Sequence, residues 1–179
     1  MKLRVNNVVI VAQFPDTTFD LTYLKECLRQ QIPWVDYDPW MFPALRVKEK
    51  YSALIYRNGK VIILGVKHLD VNEVCTWITQ LLTPYVGELP EPNVTIGNIV
   101  ATAQLDYRVD LDKLSEQPGV VYDPSVHPAA SILFGDKQLL VFSSGKVILP
   151  GFKSLDDLFR ALELVQEVTS LAKIDQTET

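Results

Sequence analysis

The sequence predicts an α+β fold made by using one unit twice: strand, helix, several antiparallel strands, helix. Three pairs of segments carry that expectation. "YDPWMFPA" at Tyr37 returns as "YDPSVHPA" at Tyr122. "ALIYRNGKVIILGVK" at Ala53 returns as "LLVFSSGKVILPGFK" at Leu139. "VNNVVIVAQF" at Val5 returns as "IGNIVATAQL" at Ile96, setting Asn7 on Asn98 and Ala12-Gln13 on Ala103-Gln104. With "FDLTYLKECL" at Phe19 against "VDLDKLSEQP" at Val109, the agreement keeps its order at offsets of about 85 to 91 residues, the mark of an internal duplication. The expected units are residues 1–89 and 90–179, joined through "TPYVGELPEPN".

Each element has a local reason. "VVIVAQF" is rich in β-branched residues and short enough for a buried strand. Asp20 and Asp110 suit the N-cap or first turn of helices that begin at Leu21-Leu24-Leu28 and Leu111-Leu114. Pro33, Pro39 and Pro43 then break any helix and force an extended or turning path. "ALRVKEK" and "SALIYR" read as a strand pair, and "RNGK" and "SSGK" as tight hairpin turns in which glycine supplies the positive φ. The closing helices place Val71, Val74, Ile78 and Leu81, or Leu155, Leu158, Leu162 and Val165, along one face. Helices on one side of the strands leave the other sheet face bare, and the informative residues should lie there.

Composition narrows the function classes. With 179 residues, 47% of them hydrophobic, the chain can bury one large core or two small ones. No apolar run approaches a membrane span. The opening "MKLRVNNVVIVAQFPD" has the basic start and apolar run of a signal peptide, but it lacks a small-residue cleavage site and recurs as "VTIGNIVATAQLD", so it reads as a strand. Cys27 and Cys75, the only cysteines, fit a reducing compartment and exclude a cysteine-based zinc site. Residues 1–90 hold 10 Lys+Arg against 9 Asp+Glu, giving +1; residues 91–179 hold 7 against 13, giving -6. That balance on its own argues against a nucleic-acid partner. Catalysis is disfavoured as well. His68 and His127 fall in different units, "SSGK" lacks the earlier glycine of a phosphate loop, and Asp156-Asp157 is explained as the first turn of a helix.

Strand "xxNxV", then "YDPxxxPA", then "ALIYRNGK" and "LLVFSSGK", then a helix, all twice, resembles the TATA-box-binding protein family from Val5 to about Val168. The resemblance implies a saddle: a curved ten-stranded antiparallel sheet with pseudo-twofold symmetry and four helices on its convex face. It implies a general transcription initiation factor with no enzymatic activity and no cofactor, whose concave sheet lies in the minor groove of promoter DNA. Its partners would be TFIIB-like and TFIIA-like initiation factors and the RNA polymerase machinery, in the nucleus of a eukaryote or otherwise in the cytoplasm.

Site residues follow from the resemblance position by position. Asn7 and Asn98 match the family's central asparagines, which donate to minor-groove acceptors, and Val9 and Val100 would add apolar contact with the groove floor. Phe42 with Tyr56, and His127 with Phe142, match the ring pairs that wedge between base steps and kink the duplex. Lys60 and Lys146 match positions that hold phosphates, as does Lys48, whose counterpart is the uncharged Leu133. Departures are equally specific. Histidine is smaller and more polar than phenylalanine, and as a residue type it titrates near neutral pH. Leu64 and Pro150 stand where the family faces a threonine to the groove, so the family's A·T selectivity does not carry over intact. Of the acidic residues presented to the TFIIB-like factor, Asp123 remains, while Ser125 and Val126 are neutral. The stretch "HLDVNEVCTWITQLL" is neutral to acidic where the family helix is basic, and Trp77 on it is either core or an exposed anchor. These departures support asymmetric, weakened kinking. An alternative keeps the fold but makes the chain a protein-interaction scaffold that has lost independent DNA binding.

Overall fold

A computed structural model describes residues 1–174. The chain forms two compact units. Residues 7–97 make the first-repeat unit; Met1–Asn6 together with the chain from Asn98 make the second-repeat unit. Compactness therefore divides the chain differently from the repeats, because the first six residues belong with the second copy.

In the first-repeat unit, the long strand β1 (Lys2–Gln13) is followed by α1 (Leu21–Leu28), the strands β2 (Trp34–Asp36), β3 (Ala44–Lys48), β4 (Ser52–Tyr56) and β5 (Lys60–Val66), then α2 (Val71–Val86). Its antiparallel sheet has the order β2-β3-β4-β5-β1. Val8, Ile10 and Ala12, Leu45 and Val47, Ala53 and Ile55, and Val61 and Ile63 are buried on one face. The helices cover that face with Leu21, Leu24 and Leu28 of α1 and Val74, Ile78 and Leu82 of α2. Burying each such large aliphatic side chain is worth about 1.5–3 kcal/mol, so this layer dominates the unit's stability.

The second-repeat unit repeats the plan. It contains β6 (Asn93–Gln104, from Asn98), β7 (Arg108–Val109), α3 (Leu111–Ser115), β8 (Val120–Val121), β9 (Ala129–Phe134), β10 (Lys137–Phe142), β11 (Lys146–Phe152), α4 (Leu155–Ser170) and β12 (Lys173–Ile174). The sheet order is β6-β11-β10-β9-β8, with β7 and β12 pairing apart from it. Among the described residues, five sheet strands in each repeat and four helices match the α+β expectation.

Helix starts follow the expected chemistry. The Asp20 carboxylate accepts from the Tyr23 N–H at 3.0 Å and that of Asp110 from the Lys113 N–H at 3.1 Å. Asp70 and Ser154 cap α2 and α4 in the same way, each cap contributing about 1 kcal/mol. The helix faces need correction. Val71 and Leu81 are half-buried, and Leu82 takes the buried place on α2; on α4, Leu155 is half-buried while Ala161 and Thr169 join the core. Lys173 and Ile174 pair with Val109 and Arg108, and residues 175–179 lie outside the described residues.

Both hairpin glycines adopt the left-handed conformation, Gly59 at φ +83° and Gly145 at φ +82°. Both inner strand pairs also carry the same irregularity. Between Val8↔Val66 and Ile10↔Ile63, β5 advances three residues against two on β1; between Leu149↔Ala101 and Phe152↔Ile99, β11 does the same against β6. The extra residues fall at Leu64-Gly65 and Pro150-Gly151, where the glycines have φ +75° and +55°. A bulge is where a strand tolerates the missing N–H of Pro150.

Candidate nucleic-acid interface

Strand alternation aims every second side chain away from the helices. In the first-repeat unit this uncovered face holds Asn7, Val9 and Val11 of β1, Lys60, Ile62 and Leu64 of β5, Leu54 and Tyr56 of β4, and Arg46 and Lys48 of β3, in alternation with the core residues. Cross-strand pairing lines up Asp36, Arg46, Leu54, Ile62 and Val11 in one row. In the second-repeat unit the same face holds Asn98, Val100 and Thr102 of β6, Lys146, Ile148 and Pro150 of β11, Leu140 and Phe142 of β10, and Ser131 and Leu133 of β9. Its row runs Val121, Ser131, Leu140, Ile148, Thr102.

The two ring pairs assemble with nearly the same geometry. The Phe42 and Tyr56 centroids are 6.4 Å apart with planes at 57°; those of His127 and Phe142 are 6.1 Å apart at 58°. The repeated "YDP" phrase explains this. Asp38 accepts the Trp40 N–H on its side chain at 3.0 Å and the Phe42 N–H on its carbonyl at 2.9 Å. Asp123 accepts the Ser125 N–H at 2.9 Å and, on its carbonyl, the His127 N–H at 3.0 Å. Aspartate thus caps one helical turn that proline opens, and the turn delivers the ring to the sheet face. His127 Nδ1 accepts the Ala129 N–H at 3.1 Å, which places a neutral ring's proton on Nε2.

Asp123 is further engaged by the Ser125 hydroxyl at 2.6 Å. That hydroxyl, with the backbone N–H groups of Ser125 and Val126, holds its carboxyl below the usual aspartate range. Around α2, Trp77 is half-buried: its ring meets Tyr51 edge-on at 5.2 Å and its Nε1 donates to Glu49. It is therefore neither a core residue nor a free anchor. Glu73 is held below the usual range by Lys50 and then by the Tyr51 hydroxyl.

Sequence reasoning missed Arg46 and Trp34. Arg46 pairs with Asp36 and lies between the Trp34 and Phe42 rings, 5.8 and 5.9 Å from their centroids. Lys48 stands 4.8 Å over the same Trp34 ring. The alternation in "ALRVK", with Arg46 two residues from Lys48, was the available signal. Trp40 and Met41, 94% and 79% exposed at the tip of the first loop, were also passed over.

The family model described as "Transcription factor TFIID (or TATA-binding protein, TBP)" matches residues 2–85 and 93–170, one stretch per repeat. The chain belongs to the TATA-binding protein family. It is 32% identical to the TATA-box-binding protein of Methanothermococcus thermolithotrophicus over 171 residues, 92% of either chain. With that of Sulfolobus acidocaldarius it shares 32% over 91% of its own length and 84% of the relative's. Its fold matches the structure of Methanococcus jannaschii TBP with a TM-score of 0.74 at 28% identity, covering 95% of this chain and 99% of that one. It is thus a general transcription factor of the TBP type, from a family of transcription factors rather than enzymes.

Proposed function

We propose that this TBP-type factor binds promoter DNA in the minor groove through its uncovered sheet faces and kinks it unequally. The observation that carries this is the pair of matched ring clusters, each held by an aspartate-capped turn beside a sheet face of asparagine, valine and lysine. A minor groove offers mainly acceptors and a narrow apolar floor. Asn7 and Asn98 can donate to the first, and Val9 and Val100 can pack on the second. Lys48, Lys60 and Lys146 would neutralise phosphates. Leu64 and Pro150 give those bulge positions an apolar surface with no donor, so discrimination falls to the asparagines and to the ease of deforming the DNA. In the second loop His127 replaces a larger apolar ring, and the wedge there would unstack less.

Asp123 would be one contact for a TFIIB-like factor, and the exposed Trp40-Met41 tip supplies an apolar surface for another protein. The factor would then nucleate an initiation complex with the RNA polymerase machinery and perform no catalysis of its own. With archaeal relatives, the cytoplasm replaces the nucleus as the expected location. Among the described residues no helix is long and apolar enough to cross a membrane. The scaffold reading draws on the second face, whose outer row of Val121, Ser131 and Leu140 carries no charge.

Binding to an A·T-rich duplex labelled at both ends, with a G·C-rich control, tests the proposal. Unstacking a step costs a few kcal/mol, so Phe42→Ala should lose about tenfold or more in affinity together with the bend. Phe142→Ala should lose less, and His127→Phe should increase the bend. Absence of duplex binding at low salt would mean that this chain alone does not read DNA, and would overturn the proposal in favour of a search for protein partners.

A further inference from the structure

The first six residues bring positive charge to the second-repeat unit. Lys2 and Arg4 line one shallow cavity of about 200 Å³ with Thr102, Ala103 and Gln104 of β6 and Lys146 of β11. All three cations are exposed, and among the described residues none of them forms an ion pair. The nearby Asp106 stands 3.9 Å from the Met1 nitrogen instead. The frame around them is fixed by hydrogen bonds. The Thr102 hydroxyl donates to Asn6 Oδ1 at 3.1 Å, and Gln104 Nε2 donates to the Ser144 carbonyl at 2.9 Å, tying down the turn from which Lys146 projects.

Three like charges gathered around one concavity without a carboxylate repel one another, so the arrangement favours an anion. We propose that Lys2, Arg4 and Lys146 form a phosphate-binding site for the backbone of the bound duplex, lent to the second-repeat unit by the first six residues. The choice of a nucleic-acid phosphate rests on the function proposed above. Lys146 and Thr102 belong to the same uncovered face as Ile148 and Val100, so a strand lying on that face passes the site. The duplication supplies no second copy: the residues equivalent to Lys2 and Arg4 are Asn93 and Thr95, both uncharged. The second repeat, which lacks counterparts of Arg46 and Lys48, thereby adds two cations from elsewhere in the chain to its own Lys146.

The full-length chain and its Lys2→Ala/Arg4→Ala variant are compared in two measurements. In the first, the logarithm of duplex affinity is followed against that of salt concentration. Removing two phosphate contacts should flatten the slope by about 2, while the bend persists. In the second, inorganic phosphate is titrated against chloride at constant ionic strength. The amide signals of Ala103, Gln104 and Lys146 should move and saturate in the parent, and stay still in the double variant; Lys146→Ala should abolish the response as well. An unchanged slope, or no saturating response in the parent, overturns the site. A phosphate response without any duplex binding would overturn the function proposed above while leaving the site standing for another phosphate-bearing ligand.

Discussion

On the first-repeat face the cross-strand row reads Asp36, Arg46, Leu54, Ile62, Val11; on the second it reads Val121, Ser131, Leu140, Ile148, Thr102. The middles agree in size and polarity, and the margins do not. Arg46 stands opposite Asp36 and between two rings in one unit, while its counterpart Ser131 stands beside Val121 in the other. The hairpin glycines, bulges, capped turns and ring pairs recur in both. Duplication has preserved what positions the face and released what the margins of the face touch. The first repeat carries Arg46, Lys48 and Lys60 on its face; the second has Lys146 alone, with Lys2 and Arg4 joined to its unit.

The shared frame can be broken first, with the largest expected effect. A Cβ on Gly145 would lie 2.3 Å from the Tyr107 carbonyl oxygen, and one on Gly59 would lie 2.7 Å from the carbonyls of Phe14 and Thr17. The positive φ alone costs about 1–3 kcal/mol for alanine, and the backbone clash adds to it. Both variants should therefore lower the urea midpoint, Gly145→Ala by more. Equal midpoints would mean that the two hairpins are equally constrained and that the closer contact at Gly145 relaxes at no cost.

The margins come next. Arg46→Ala and Lys48→Ala should each flatten the salt dependence of duplex binding by about 1, and Ser131→Arg should steepen it by a similar amount. Asp36→Asn frees Arg46 from its internal counter-charge and should raise affinity at low salt. If Asp36→Asn weakened binding, the ion pair would be positioning Arg46 rather than competing for it.

The smallest effect concerns the capped turn at Asp123. Its carboxyl is held low mainly by the Ser125 hydroxyl, then by the Ser125 and Val126 N–H groups. The charged form is the one stabilised. The turn therefore keeps its full stabilisation above the ordinary carboxylate pKa of about 3.9, and loses it as pH falls through the lowered folded-state value. In an acid titration followed at the Ser125 amide, Ser125→Ala should move the transition upward. A transition that stays in place would remove the hydroxyl from the account.

Much of the fold was legible because a duplicated sequence states its pattern twice. Asp20 and Asp110, or Gly59 and Gly145, corroborate each other in a way a single copy cannot. The α2 face was misread by one residue because Leu81 and Leu82 are adjacent and periodicity alone does not choose between them. In the candidate interface, the resemblance marked single positions, and Arg46 was passed over because it lies between them. The cavity at Lys2 and Arg4 was not legible. It depends on six residues joining the unit that begins at Asn98, a long-range association that no local pattern encodes.

That division also bears on when each unit's residues become available during synthesis. The first-repeat unit is one continuous stretch and can close once Gly97 has been made. The second needs Met1–Asn6 at one end of the chain and the β7–β12 pairing, completed at Ile174, near the other. At about 5–20 residues per second of synthesis, the interval between those points is roughly 4 to 15 seconds. Early in that interval the first six residues can meet Thr102–Gln104 of β6, but Lys146 of β11 comes later, so a growing chain carries a finished half beside a segment whose surroundings are still being made.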